Sequence, residues 1–165
     1  MERFSIPVVT AIIERLKDGE TEVLIQTRWK PEEDPKYSGC FEMPGGKIRE
    51  FENIYDALNR EVFEETGLKA LKISPDSKTK ILSPNNDGSF AFKPFCCHQQ
   101  IKGGRPWIGF VFICQVKDKE PLKQGDGTKN IYWIKKSKLK QIFEETPEKI
   151  FTLQLGVLDY YFNSD

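Results

Sequence analysis

Ile6 to Ile13 is an almost unbroken apolar, β-branched run and predicts a buried strand. Lys17-Asp18-Gly19-Glu20 is a hairpin-turn signal, after which Val23-Leu24-Ile25 returns as a second strand. Residues 30–40, rich in proline and charge, form a loop, and Pro44-Gly45-Gly46 marks a turn. The period then changes. Ile54, Ala57, Leu58 and Val62 recur at helical spacing, with Asn53 as N-cap, Asp56 placed to bond back to it, and Gly67 as the stop. Beyond the helix, Ala70 to Ile73, Ile81-Leu82, Phe90 to Ile101 and Trp107 to Val116 read as strands. Asn86-Asp87-Gly88 and Gly103-Gly104-Arg105 are turns between them. Lys117 to Lys140 reads as a solvated loop, a strand over Ile131–Ile134 and the start of a helix near Ser137. Pro147 to about Phe162 is expected to be one packing helix. No repeat or linker interrupts this order, so a single domain over 1–165 is expected.

The acids of the helix change the picture. With Ile54 at zero and about 100° per residue, Glu61, Glu64 and Glu65 fall near roughly 340°, 280° and 20°, beside the apolar arc. Glu61 and Glu65 form an i,i+4 like-charge pair, which costs about 0.2–0.5 kcal/mol. All three acids stand at the negative end of the helix dipole. Arg60 can neutralise one carboxylate but not three. A hard divalent cation is the natural complement, the alternative being a charged surface turn bridged to Lys69 or Lys72.

Spacing narrows the choice. Gly46, five residues, Glu52, seven residues, then Arg60-Glu61-Val62-Phe63-Glu64-Glu65-Thr66-Gly67-Leu68 resembles the Nudix hydrolase signature at every specified position. The resemblance implies an α/β fold, the Nudix α/β/α sandwich with a central mixed β-sheet. Phe41 to Ile48 would be the short strand and glycine turn leading into the motif. It also implies Mg²⁺ or Mn²⁺ held by Glu61, Glu64 and Glu65, with the Gly45 carbonyl joining them and Glu52 supporting through water. Arg60 would orient the glutamates, Gly46 would let the backbone pass close to the metal and substrate, and Arg28, just past the second strand, would reach a substrate phosphate. The reaction implied is hydrolysis of a nucleoside diphosphate linked to another group. Glu64 or Glu65 would take the water's proton, or else an acid from a later loop, for which Glu120 and Asp126 are candidates.

Compact length and a short N-terminus resemble the branch that cleaves (deoxy)nucleoside triphosphates to the monophosphate and pyrophosphate. The stretch Glu144 to Lys149 lacks the asparagine with which oxidised-guanine enzymes read the base. Pro84, sixteen residues past Leu68, resembles a feature of ADP-ribose hydrolases and leaves ADP-ribose or nucleotide-sugar cleavage as the alternative. A non-catalytic nucleotide sensor of this family usually loses motif carboxylates, and this chain keeps Glu52, Glu61, Glu64 and Glu65. An isomerase of the same superfamily would call on a cysteine such as Cys40 or Cys96.

Composition excludes other classes. Twenty-five basic and twenty-five acidic residues cancel, so no global field draws the chain to nucleic acid. No apolar run reaches the roughly 20 residues of a membrane span, and MERFSIPVV lacks the pattern of a secretory signal. A cytoplasmic protein whose partner is a small nucleotide is expected, and a homodimer, common among Nudix relatives, stays open. Cys40, Cys96, Cys97 and Cys114 with His98 follow no zinc spacing. The Gly45-Gly46-Lys47 run is no Walker loop, since Phe41 and Ile48 stand where that motif needs glycine and serine or threonine. Trp29, Phe90, Phe92 and Phe95 are either packing groups or walls for a base.

Overall fold

The structure, a computed structural model, describes residues 1–117 and 119–164; Asp118, in the expected 117–140 loop, lies outside the described residues. The first hairpin is longer than its apolar runs, with β1 over Ile6–Lys17 and β2 over Glu20–Arg28. Asp18 and Gly19 both take positive φ, 51° and 79°, as a two-residue type I′ turn requires. Strand β3 (Phe41–Glu42) pairs with β2, and β4 (Gly45–Lys47) pairs with β1. Helix α1 (Ile54–Thr66) starts at Asn53, whose side-chain oxygen accepts from the Tyr55 N–H at 3.0 Å. It ends at Gly67 in the left-handed region, φ 72°. Asp56 is exposed and makes no return bond, because its side chain is one methylene shorter than the glutamate such a capping box uses.

Strands β5 (Ala70–Ser74), β6 (Cys96–Gln99), β7 (Trp107–Val116), β8 (Gln124–Gly125) and β9 (Thr128–Lys135) complete the sheet. Helices α2 (Lys136–Glu145) and α3 (Leu155–Asn163) follow. Among the described residues nine strands join in one sheet, ordered β5-β7-β1-β2-β9-β8, with β3, β4 and β6 attached to β2, β1 and β7. The β1–β7 pair is parallel and the other pairs are antiparallel, so the sheet is mixed. β1 lies inside the sheet and is buried on both faces, which is why its sequence is a run rather than an alternation. Val9, Ala11 and Ile13 pack toward Ala57, Leu58 and Val62 of α1; Ile12 packs toward Leu139 of α2 and Val157 and Leu158 of α3. The result is the α/β/α sandwich. No helix among the described residues is long and apolar enough to cross a membrane.

Three expected elements differ. Of Phe90 to Ile101 only Cys96–Gln99 is a strand, since Pro94 offers no N–H to a ladder. Phe90 and Phe92 pack over Tyr55 instead, with ring centroids at 6.4 and 6.3 Å, and Ile81 and Leu82 are exposed, tied only by a bridge from Leu82 to Ser89. The tail is not one helix. Ile150 forms a bridge with Phe41 and the Phe151 N–H donates to the Phe41 carbonyl at 2.8 Å, so the chain is extended there and the α-helix begins at Leu155.

The tail is also tied to the sheet through His98. It stands on β6 opposite Gly109, where a Cβ would lie 2.1 Å from its Nε2. Nδ1 is 3.1 Å from the Leu153 carbonyl, which only accepts, so Nδ1 carries the proton and Nε2 is left buried without a partner. Burial holds this imidazole below its usual 6.5, against the opposing pull of the Leu153 carbonyl. The fold therefore prefers neutral His98. Its contribution is complete above pH 6.5 and is lost as pH falls below that value toward the depressed one. Thermal unfolding between about pH 7.5 and 5.5 should show stability falling with acid in the wild type and a flatter profile in His98→Gln. Equal slopes would remove His98 as the cause.

Candidate active site

A cleft of about 410 Å³ opens where β4, the C-terminal half of α1, the β8–β9 turn and the 151–154 segment meet. α1 supplies its acids. Glu61 lies against Gly46 of β4, where a Cβ would come within 2.4 Å of the carboxylate. Glu65 is buried; its Oε2 accepts from Gln26 Nε2 at 2.7 Å and from the Gly45 N–H at 3.0 Å. Glu64 is the most open of the three, its side chain 37% exposed.

Arg60 gathers the rest. Its five N–H groups are all engaged: two on Glu52 (2.7 and 2.9 Å), one each on Glu61 (2.6 Å) and Glu64 (3.2 Å), and one on the Lys47 carbonyl (3.0 Å). The bonds from Arg60, with the Arg49 N–H, hold the Glu52 carboxyl down at about 2. Burial pushes Glu61 the other way, above the usual carboxylate range, although Arg60 opposes it. Glu65 is pushed well above that range, by burial first and by neighbouring Glu42 second.

Glu42 extends the network. It is buried at the end of β3, raised by burial against the pull of Arg28, and lies 3.4 Å from the same Gln26 Nε2. Arg28 donates from Nε and Nη2 to Asp34 Oδ2 (3.0 and 2.7 Å) and from Nη1 to Glu42 Oε2 (3.2 Å). Its guanidinium lies over the Phe151 ring, 4.6 Å from the centroid. Gln154 clamps the chain ahead of the glycines: its Oε1 accepts from the Met43 N–H at 2.6 Å and its Nε2 donates to the Met43 carbonyl at 3.0 Å. With Pro44 next in sequence, this buried amide supplies the strand partner that Met43 otherwise lacks.

The sequence candidates thus separate. Gly45, Gly46, Arg60, Glu61, Glu64, Glu65, Arg28 and Asp126 all line the cleft; Glu52 stands behind Arg60, and Glu120 is exposed outside it. The Asp126 N–H donates to the Glu64 carbonyl at 3.3 Å, which fixes the β8–β9 turn against α1. Trp29, Phe90, Phe92, Phe95 and the cysteines lie off the cleft. Sequence reasoning missed Gln26, Lys30, Glu42 and Gln154. Gln26 and Glu42 carried a signal, a polar residue inside an apolar strand and another just before the Pro-Gly-Gly turn.

Among the described residues no three His, Cys, Asp or Glu side chains already stand in position to hold a metal ion. The donor set nevertheless fits a hard cation. Glu61, Glu64 and Glu65 each bond through one oxygen, leaving Glu61 Oε2, Glu64 Oε1 and Glu65 Oε1 without a protein hydrogen bond. Five carboxylates, those of Asp34, Glu42, Glu52, Glu61 and Glu64, share Arg28, Arg60 and the more distant Arg49, and buried Glu65 pairs with none of the three, so the acids outnumber these arginines two to one.

Residues 6–154 match the profile of the family described as NUDIX domain. The 8-oxo-dGTP diphosphatase of Buchnera aphidicola subsp. Acyrthosiphon pisum (strain APS) is 53% identical over 34 residues, which span 21% of this chain and 27% of that protein. The NUDIX domain of Shewanella oneidensis NrtR, solved with ADP ribose, superposes with a TM-score of 0.67 at 13% identity, covering 98% of this chain and 88% of that one. The E. coli ORF135 protein superposes at 0.57 with 23% identity, covering 96% and 89%. At these identities the structural likenesses concern the fold.

Proposed function

The chain belongs to the NUDIX domain family, and we propose that it is a pyrophosphohydrolase of nucleoside diphosphate derivatives whose substrate is a (deoxy)nucleoside triphosphate, cleaved to the monophosphate and pyrophosphate. The observation that carries the chemistry is the set of three glutamates on one helix face, each with one oxygen hydrogen-bonded by the protein and the other without a hydrogen bond. The triphosphate reading is supported by the local match to the 8-oxo-dGTP diphosphatase.

Glu61, Glu64, Glu65 and the Gly45 carbonyl would hold Mg²⁺ or Mn²⁺, with Glu52 in support. When bound, such an ion neutralises a diphosphate and acidifies water. The chain does the positioning. Gln26 and the Gly45 N–H fix one oxygen of Glu65 before substrate arrives, and Arg60 keeps Glu52, Glu61 and Glu64 in register. Glu64, the most exposed of the three, would accept the proton from water entering the cleft, with Asp126 a second candidate among the acids that line it.

The test is product release from deoxynucleoside triphosphates, including an oxidised guanine one, ADP-ribose, nucleotide sugars and dinucleoside polyphosphates. Each is run with Mg²⁺ or Mn²⁺ beside Glu64→Gln. Triphosphate turnover is expected, reduced at least about a hundredfold in the variant. Preferred turnover of ADP-ribose or nucleotide sugars would replace the substrate class. Binding without turnover across the panel would make the chain a nucleotide sensor.

A further inference from the structure

Six cationic side chains line the cleft, Arg28, Lys30, Lys47, Arg49, Arg60 and Arg105. Three are held by carboxylates. Arg60 has no N–H left over, Arg28 is bound to Asp34 and Glu42, and Arg49 lies 3.7 Å from Glu64. Lys47 and Arg105 are exposed. Lys30 differs from both groups: it is half-buried, and among the described residues its ammonium makes no ion pair.

Its position is nevertheless built. The Lys30 N–H donates to Ser38 Oγ at 3.1 Å, and its carbonyl accepts from the Asp34 N–H at 2.8 Å. The preceding Trp29 N–H donates to the Gly127 carbonyl at 2.8 Å. The lysine stem then lies along Gly127, where a Cβ would come 2.3 Å from Cε and 3.2 Å from Nζ. Gly127 has φ 63°, a conformation suited to glycine, and the absence of its side chain is the room the lysine uses. The lysine so held lines the same cleft as Glu42 and Glu61.

We propose that Lys30 is the side chain that contacts a phosphate of the substrate, the role that sequence position suggested for Arg28, and that Arg28 is a positioning residue. The proposal rests on the pyrophosphohydrolase reading. A compact ammonium with all its donors available suits a phosphate oxygen. The Arg28 guanidinium, by contrast, would have to leave two part-buried or buried carboxylates, Asp34 and Glu42, to do so. By tying Asp34 to Glu42 it fixes the 30–40 loop, and so fixes the backbone on which Lys30 stands.

The test uses the full chain in excess Mg²⁺, with inorganic tripolyphosphate as the probe in calorimetry and nucleoside triphosphate in steady-state kinetics. Lys30→Met is expected to weaken tripolyphosphate binding and raise KM by about tenfold each, with kcat within about twofold of wild type, and Lys30→Arg to restore most of both. Arg28→Lys is expected to lower the melting temperature and to move KM far less. Unchanged tripolyphosphate affinity and KM in folded Lys30→Met would overturn the proposal, as would a tenfold KM increase in Arg28→Lys at unaltered melting temperature. If no nucleotide is turned over but tripolyphosphate binding still depends on Lys30, the enzymatic reading fails and the phosphate contact stands. If turnover is normal and indifferent to Lys30, the reverse holds.

Discussion

Gly46→Ala is expected to lower kcat by about a hundredfold or more at little cost to the fold, and Gly45→Ala to destabilise the fold itself. The adjacent glycines fail differently because different atoms face them. A Cβ at 46 would lie 2.4–2.5 Å from the carboxylate atoms of Glu61, the far end of a flexible side chain. The side chain yields, the fold stays, and the carboxylate is pushed from its 2.6 Å bond with Arg60. A Cβ at 45 would lie 2.2 Å from the Val9 carbonyl oxygen and 3.0 Å from the Thr10 Cα. These are backbone atoms of β1, which is paired on both sides and covered on both faces. Relief there means losing the β1–β4 pairing at Thr10 and Gly45, a cost of about 3 kcal/mol or more and roughly 6–12 °C in melting temperature. Thermal unfolding with kcat for each variant separates the two effects. A Gly46→Ala enzyme with kcat within about tenfold of wild type would show that Glu61 need not stand where it does.

What the sequence made legible follows the range of the contacts involved. Glu61, Glu64, Glu65 and Arg60 belong to one helix, so their grouping is set by 3.6-residue periodicity and can be read locally. Gln26 reaches Glu65 across 39 residues, and Gln154 reaches Met43 across 111, through strand pairings that no local spacing encodes. Those residues were visible only as polar side chains in apolar surroundings, which signals a buried partner without naming it. Arg28 shows the same limit from the other side. Its place at the end of β2 was evident, but Asp34 and Glu42, which occupy its guanidinium, come from the following loop and strand. Asp126 and Glu120 are chemically alike in sequence; the β8–β9 turn, packed on α1 at Gly125 and Glu65, places one at the cleft and not the other. The tail misled because Ile150 and Phe151 are buried in an extended segment, where burial alone imitates the apolar positions of a helix.

Glu65→Gln should cost turnover at least about a hundredfold and yet make the metal-free protein more stable, by about 1–2 kcal/mol or roughly 2–8 °C. Glu65 and Glu42 are both buried, and one Gln26 amide lies 2.7 and 3.4 Å from them. Burial and the neighbouring Glu42 raise the Glu65 carboxyl above its ordinary 4.5, outweighing the bonds from Gln26 and Gly45. The fold thus prefers the protonated acid. Ionising it costs stability as pH rises above 4.5, and the cost grows until the folded-state value is passed. Glutamine keeps the shape, and its Oε1 can still accept from the Gly45 N–H and Gln26, but the charge is gone. In chelator, the variant should therefore melt higher than wild type, with the gap widening from about pH 4.5 upward. Adding Mg²⁺ or Mn²⁺ should reverse the order, because an ion that binds only the folded wild type stabilises it by mass action. A variant that melts lower than wild type in chelator would show that Glu65 is stabilised by its surroundings. The same charge that the fold tolerates poorly in the metal-free state is the one the chemistry needs, so stability and turnover should move in opposite directions at this single position.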